Sequence, residues 1–257
     1  MGALSDFDEN QLAHEMAAAA TPRERFDVLA KGVSRLGLDI VNYGFFDDVA
    51  AERAATDVQF MTTMSDAWMT YYHGDGLAEA DAHVRHVRNG RISPYLWGSS
   101  DIEGLAGGER RVAEEAKDIG LRTGLFVPMA SPLDPFSPVA GLALAGAMDD
   151  RDFRAMLAEH GVALLHLAYV FHNASIRNVW MDQAGGRPLS ERERTCLRHL
   201  ADGLRQDAIA DKLGIARVTV EMHLRAARQK LGARTLTEAV AKSILFGQLS
   251  RSRLEGA

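Results

Sequence analysis

The feature that most constrains this chain is a breaker cluster, Gly185-Gly186-Arg187-Pro188, with stretches of opposite charge on its two sides. Residues 188–257 carry 13 Lys and Arg against 8 Asp and Glu, net +5, and the remainder carries 16 against 27, net −11. Opposite signs across a Gly/Pro linker point to an acidic domain joined to a basic one, and the basic one is where phosphate contacts are expected. The overall net charge of −6 hides this division and, taken alone, argues against a nucleic-acid partner. With 257 residues, 47% of them hydrophobic, there is enough apolar material for a sizeable core. No apolar run approaches the roughly 18 residues of a membrane span. The first twenty residues carry Asp6, Asp8, Glu9 and Glu15 where a signal peptide has a basic and then an apolar region. One cysteine excludes a disulfide framework and any multi-thiolate metal site, so a reducing cytoplasm is the expected compartment.

The basic tail reads as four short helices. Ser190 and Glu193 have capping-box spacing, and Cys196, Leu197 and Leu200 form an apolar stripe that stops at Gly203. Gln206 to Leu213 is the second helix, ended by Gly214, and Arg217 to Leu231 is the third, with Val220, Leu224, Ala227 and Leu231 on one face. Thr235 and Glu238 repeat the capping-box spacing before a last helix through Ala239, Val240, Ile244 and Leu245. Two helices joined through a Gly-containing turn, the second of them basic, read as a helix-turn-helix; a small bundle with a solvated basic face is the alternative on periodicity alone.

Leu189-Ser190-Glu191-Arg192-Glu193 with Leu197 and Gly203, then Ile209-Ala210, Leu213-Gly214-Ile215, Thr219-Val220, His223-Leu224, Lys230-Leu231 and Glu238-Ala239-Val240, resembles the LuxR-type helix-turn-helix along its whole length. The resemblance implies that the residues after Thr219-Val220 face the DNA major groove: Glu221 and Met222, with Arg225 one turn on. Arg225 is the side chain able to give a bidentate pair to guanine, Glu221 can accept from cytosine, and Met222 offers an apolar contact. Arg217 and Thr219 are expected at the phosphate backbone, where they set register.

The acidic region mixes helix-like and strand-like segments. Pro22 to Leu36 reads as a helix, Asp39 to Phe46, Leu125 to Met129 and Val139 to Ala147 as strands, and Ser131 to Pro138, with three prolines, as a loop. A long helix is expected from Asp150 to about Asn178, apolar over more than half its circumference and so needing cover on two sides. The expected fold class is α+β: an N-terminal α-β-α sandwich with an antiparallel sheet over residues 1–175, a linker over 176–188, and a C-terminal all-α four-helix helix-turn-helix domain over 189–257.

Met64, Trp68 and Tyr72 recur every four residues and are read as one helix face, which from spacing alone is more often core than pocket. Taken with Asp81, Pro94-Tyr95-Leu96-Trp97, Gly120-Leu121-Arg122-Thr123-Gly124 and Val127-Pro128, they resemble the autoinducer-binding domain of LuxR-type quorum-sensing regulators. The resemblance implies a small-molecule ligand, an N-acyl homoserine lactone, and no cofactor. Such a ligand has two carbonyls, one amide N–H and an apolar tail, so a dry pocket must offer two donors and one acceptor. Trp68 is expected to donate to the lactone carbonyl, Tyr72 to the amide carbonyl, and Asp81 to accept from the amide N–H, with Trp97 as an apolar wall. Met64 stands where the family often has Tyr, Ala82 where it has Pro, and Ala145 where many relatives carry a hydroxyl, so the tail substituent stays open.

The expected partners are double-stranded DNA, the autoinducer, a second copy of the chain in a homodimer, and RNA polymerase, with no membrane. The long helix from Asp150 and the face of Val240, Ile244 and Leu245 are the candidate dimer surfaces. His83 and His86 are three apart with no further ligand at fixed spacing, so no metal site is expected. His160, His166 and His172 are six apart and share no helix face. A regulator that answers a non-lactone ligand, or none, is the alternative. A phosphorylated response regulator is more distant, since Asp47-Asp48 follows a strand but the alternating β/α pattern is missing. No nucleophile elbow or metal-ligand set supports an enzyme.

Overall fold

The computed structural model describes residues 7–46, 58–75, 77–98, 101, 104–105, 107–131 and 138–249. The Asp47-Asp48 pair and residues 132–137 of the proline loop lie outside the described residues. The chain divides into two compact units, Met1–Ser175 and Ile176–Ala257.

The first unit runs α1 (Glu9–Ala18), α2 (Pro22–Ser34), β1 (Ile40–Phe46), β2 (Val58–Thr62), α3 (Asp66–Gly74), α4 (Leu77–Ala80), α5 (Ala82–Arg88), β3 (Tyr95–Trp97), α6 (Gly107–Asp118), β4 (Thr123–Ala130), β5 (Pro138–Gly146) and the start of α7 (Asp150–Gln183). The five strands form one sheet in the order β2-β1-β5-β4-β3, and every neighbouring pair is antiparallel. The expected antiparallel sheet is therefore present, with β2 and β3 as edge strands that the apolar pattern did not announce.

Register assigns the two faces. Val41, Tyr43, Leu125, Val127, Leu142 and Leu144 alternate onto one face and are all nearly or fully buried. Tyr43 meets Phe171 of α7 edge-to-face at 5.0 Å between ring centroids, and Phe171 meets Phe26 of α2 at 6.1 Å, so α2 and α7 cover this face. Helix α2 starts where the sequence says: Thr21 caps it, Pro22 opens it, and Glu24 completes the capping box. The opposite face carries the rows Tyr95-Phe126-Ala143-Asn42, Trp97-Gly124-Ala145 and Gly141-Gly44-Phe60, in which the central strands β1 and β5 present small or short side chains. Small residues on the inner strands and rings towards the edges leave a hollow on this face, beneath α3, α5 and α6.

The three histidines of α7 have three environments. His166 is exposed and paired with Glu9, His160 meets the ring of Phe7 at 5.3 Å, and His172 is buried. His172 Nε2 donates to the Ala130 carbonyl at 2.9 Å, which fixes the tautomer and lets Nδ1 accept from the Tyr43 hydroxyl at 2.9 Å. Burial holds the His172 pKa down at about 4.

The second unit contains the end of α7, then α8 (Glu191–Ala201), α9 (Gln206–Leu213), α10 (Arg217–Lys230) and α11 (Leu236–Leu245). Helix α7 continues to Gln183, so residues 176–183 of the expected linker are helical; Ile176, Val179, Trp180 and Met181 are buried, and burial of that apolar stretch sustains the helix. It stops at Gly185, whose φ of +64° suits glycine. Cys196 is fully buried with Leu197, Ile209, Val220, Leu224 and Ala227 in the core expected from the tail periodicity. Among the described residues no helix is long and apolar enough to cross a membrane, and no group of three or more His, Cys, Asp and Glu is placed to hold a metal ion.

Candidate functional site: an apolar cavity and an exposed helix face

A cavity of about 300 Å³ lies between the small-residue face of the sheet and the helices α3, α5 and α6. That is at the lower end of the roughly 300–1,000 Å³ usual for small-molecule sites. Ser65 caps α3 by accepting from the Trp68 N–H, and this sets Trp68 and Tyr72 one turn apart on the cavity side. Met64 precedes the cap and lies outside the helix, so the three-residue stripe is not a single helix face; Met64 nevertheless lines the cavity.

Asp81 joins two elements. Its Oδ1 accepts from the backbone N–H of His83 at 2.7 Å, capping α5, and faces the His83 Nδ1 at 3.1 Å; its Oδ2 accepts from the Tyr72 hydroxyl at 2.7 Å. Burial acts to raise the Asp81 carboxyl, but the hydrogen bonds from His83 and Tyr72 outweigh it and hold the group below the usual carboxylate range. The Tyr72 hydroxyl is pushed up by burial and then by the neighbouring Asp81 charge. The expected donor and the expected acceptor are thus bonded to each other at the cavity wall.

Trp97 forms the far wall with Tyr95, Phe126 and His83. The His83 ring lies edge-on to Trp97 at 4.6 Å and to Phe126 at 4.7 Å. Trp97 lies so close to Gly124 that an added Cβ there would stand 2.2 Å from two of its ring atoms, and Phe126 covers Gly141 in the same way. Gly124 therefore supplies a flat seat for the indole. Ala145 shares the row of Trp97 and Gly124 but does not border the cavity, which corrects its expected place in the site; Ala143 and Gly141, two and four residues earlier on the same face, line it instead. Phe60 and Asn42 are further lining residues that the sequence reading missed, and His83 lines the cavity as well. Asn42 had one visible signal, an amide inside an otherwise apolar strand.

On the outer surface, Arg111 of α6 donates to the Tyr71 hydroxyl at 2.7 Å and to Asp75 at 2.9 Å, while its Nε bonds Glu115 at 2.9 Å. This exposed cluster ties α6 to the end of α3.

In the second unit, Gly214 ends α9 at φ +62° and the turn leads into α10. Val220, Leu224 and Ala227 face inwards, so Val218, Glu221, Met222 and Arg225 form the outer face, with Val218 and Met222 61% and 66% exposed. Two large apolar side chains left in water on a helix with basic flanks mark a contact surface. Arg217 bonds Glu221 at 3.0 Å and reaches Asp207 at 3.1 Å, so its charge is partly neutralised within the domain; Thr219 is half-buried. Arg225 makes no ion pair among the described residues and is exposed. The frame is locked by Glu193, which is buried, completes the Ser190 capping box and accepts from Lys230 at 2.9 Å.

A ligand-sized cavity in an α-β-α sandwich, followed by a four-helix helix-turn-helix unit, defines a DNA-binding regulator with its own small-molecule domain. The chain belongs to the luxR family of bacterial regulatory proteins: the autoinducer binding domain matches residues 21–175 and the luxR-family regulatory domain matches residues 187–243. It is 25% identical over 228 residues to the transcriptional activator protein AnoR of Acinetobacter nosocomialis, covering 88% of this chain and 92% of that one. It is 28% identical over 211 residues to the transcriptional activator protein RaiR of Rhizobium etli, covering 80% and 84%. Among solved structures it shares the fold of Escherichia coli SdiA, with a TM-score of 0.55 and 20% identity over 95% of this chain and 98% of that one. It also resembles the N-acylhomoserine lactone dependent factor CepR2 of Burkholderia cenocepacia, with a TM-score of 0.50 and 18% identity over 66% and 98%.

Proposed function

We propose that this chain is a cytoplasmic quorum-sensing transcription regulator that binds an N-acyl homoserine lactone in the cavity and, as a homodimer, a palindromic promoter site. The observation that carries the reading is the set of Trp68, Tyr72 and Asp81 on one apolar cavity, two donors and one acceptor for a ligand with two carbonyls and one amide N–H. Tyr72 has one proton, and in the ligand-free chain it goes to Asp81. On binding it turns to the ligand's amide carbonyl, and Asp81 accepts the amide N–H in its place, so one internal hydrogen bond is exchanged for two across the ligand. A molecule without the amide leaves one of these buried groups unpaired at a cost of about 1–3 kcal/mol. The chain acts by retaining the ligand, not by turning it over.

A ligand bound only by the folded chain stabilises it by mass action. Two copies then present two α10 helices to half-sites about one DNA turn apart, because a two-fold protein matches a two-fold site. Val162 and Tyr169, exposed on α7 opposite its buried stripe, support that helix as a dimer surface. The names of the relatives favour activation, with RNA polymerase as the further partner. A second reading is a non-lactone ligand: the structurally similar SdiA is described in complex with octanoyl-rac-glycerol. The test is expression with and without a panel of lactones, followed by mass spectrometry of the extracted ligand. A retained lactone supports the reading; no retention and unchanged solubility with every lactone overturns it.

A further inference from the structure

Helix α10 begins against the rules that α8 and α11 follow. Those two open with a serine or threonine cap and an acidic first turn, whereas α10 has Ala216 at its cap with no side-chain bond, no acidic residue in its first turn, and a cation, Arg217, as its first residue. A cation there opposes the helix dipole, and Arg217 four residues before Glu221 is the less favourable order for a helix pair. What steadies Arg217 comes from the neighbouring helix. Asp207, in the first turn of α9, lies 3.1 Å from its Nη1, while its Nε donates to Glu221 Oε1 at 3.0 Å. All three side chains are exposed, and exposed pairs add little to stability. A helix start that breaks local rules with no gain in stability marks a functional feature.

The chain of contacts gives one carboxylate a fixed direction. The guanidinium is a planar, rigid fork, so fastening one arm to α9 sets the other arm and, with it, Glu221. A glutamate already held loses less rotamer freedom on meeting a base than one free in water. Glu221 has no partner besides Arg217 among the described residues, so its Oε2 stays open on the outer face that carries Arg225 one turn on. A carboxylate only accepts. In the major groove the donors are the amino groups of cytosine and adenine, and adenine sets its N7 acceptor beside the amino group, which repels a carboxylate. Cytosine is the base that fits.

We propose that Asp207 and Arg217 are positioning residues that aim Glu221 at the amino group of a cytosine, so that each half-site carries a cytosine about one or two base pairs from the guanine expected for Arg225. The spacing follows from a helix rise of about 5.4 Å per turn against about 3.4 Å per base pair. Arg217 then sets the direction of Glu221 and is not a phosphate contact. The inference rests on the DNA half of the reading above and is independent of the ligand's identity.

The test uses the full chain, expressed with and without the lactone panel, to select duplexes from a pool randomised over about 20 base pairs, two DNA turns, and then measures affinity for selected sites changed one base at a time. The native chain is expected to prefer cytosine at that position about tenfold. Glu221→Gln should move the preference to adenine, the base a glutamine amide pairs with. Asp207→Asn and Arg217→Lys, both at exposed positions and checked for folding by thermal melts, should each lower the cytosine preference about threefold and leave the guanine preference unchanged. A fall in both preferences together means a merely structural role and overturns the proposal. So does a native chain without a cytosine preference, or an Asp207→Asn chain that keeps it; if that variant also binds every sequence more tightly with a steeper salt dependence, Arg217 is a phosphate contact. Selection of no site from the pool overturns the promoter-binding reading and this inference with it.

Discussion

Tyr72 of α3 donates its phenolic proton to Asp81, the cap of α5, at 2.7 Å, so the ligand-free cavity is braced by the same two groups that the proposed ligand recruits. Tyr72→Phe removes one donor to the ligand and leaves the ring, which meets Phe60 at 5.7 Å, in place. Lactone affinity is expected to fall about tenfold, within the roughly 1–3 kcal/mol of a lost buried hydrogen bond, with a nearly unchanged Tm. Asp81→Ala also strips the α5 cap, worth about 1 kcal/mol. It should lower both affinity and Tm; calorimetric titration beside thermal melts separates the two variants.

Gly124→Ala tests the seat of Trp97. Its Cβ would stand 2.2 Å from two indole atoms and 2.9 Å from the Leu144 carbonyl oxygen, and strand backbone offers little room to move. Overpacking of this kind costs about 1–3 kcal/mol. The expected result is a shifted tryptophan fluorescence spectrum and at least tenfold weaker ligand binding, while DNA affinity of the helix-turn-helix unit is unchanged.

His172 makes stability depend on pH. Its pKa is about 4 in the fold against the ordinary 6.5, because burial disfavours the charged ring. Between those values the unfolded chain binds more protons, so its contribution is complete above pH 6.5 and is lost as pH falls towards 4. The loss amounts to about 3 kcal/mol. Denaturant melts across this range should show the slope. His172→Leu should flatten it, while lowering stability at pH 7 by leaving the Tyr43 hydroxyl and the Ala130 carbonyl unpaired.

On α10, Arg225→Ala should weaken binding to specific DNA relative to random DNA by about ten- to hundredfold while ligand retention stays intact, since one bidentate base contact is worth about 1–3 kcal/mol. Glu221→Ala should act in the opposite direction on non-specific binding. It removes a negative charge from the outer face and frees Arg217 from its 3.0 Å pairing, so DNA affinity should rise and depend more steeply on salt. Binding curves at several salt concentrations on specific and random duplexes read both effects.

The sequence by itself determined the helical tail almost residue by residue, because its helices are set by local signals: the Ser190-Glu193 and Thr235-Glu238 spacings, the glycine after α9, and a 3.6-residue apolar period. It also determined the buried strands β1, β4 and β5 and the long α7, whose apolar runs leave few alternatives. Tertiary structure alone decided the cavity. Which of Ala143 and Ala145 lines it depends on where the Trp97 indole lies along the sheet. Whether Asn42 stands on the hollow face or against α2 and α7 depends on strand register, which shifts every side chain to the other face with a one-residue slip. The charge division across Gly185 to Pro188 could be read in one dimension; the hollow floored by Gly141 and Ala143 exists only once five strands, two of them short edges, have paired.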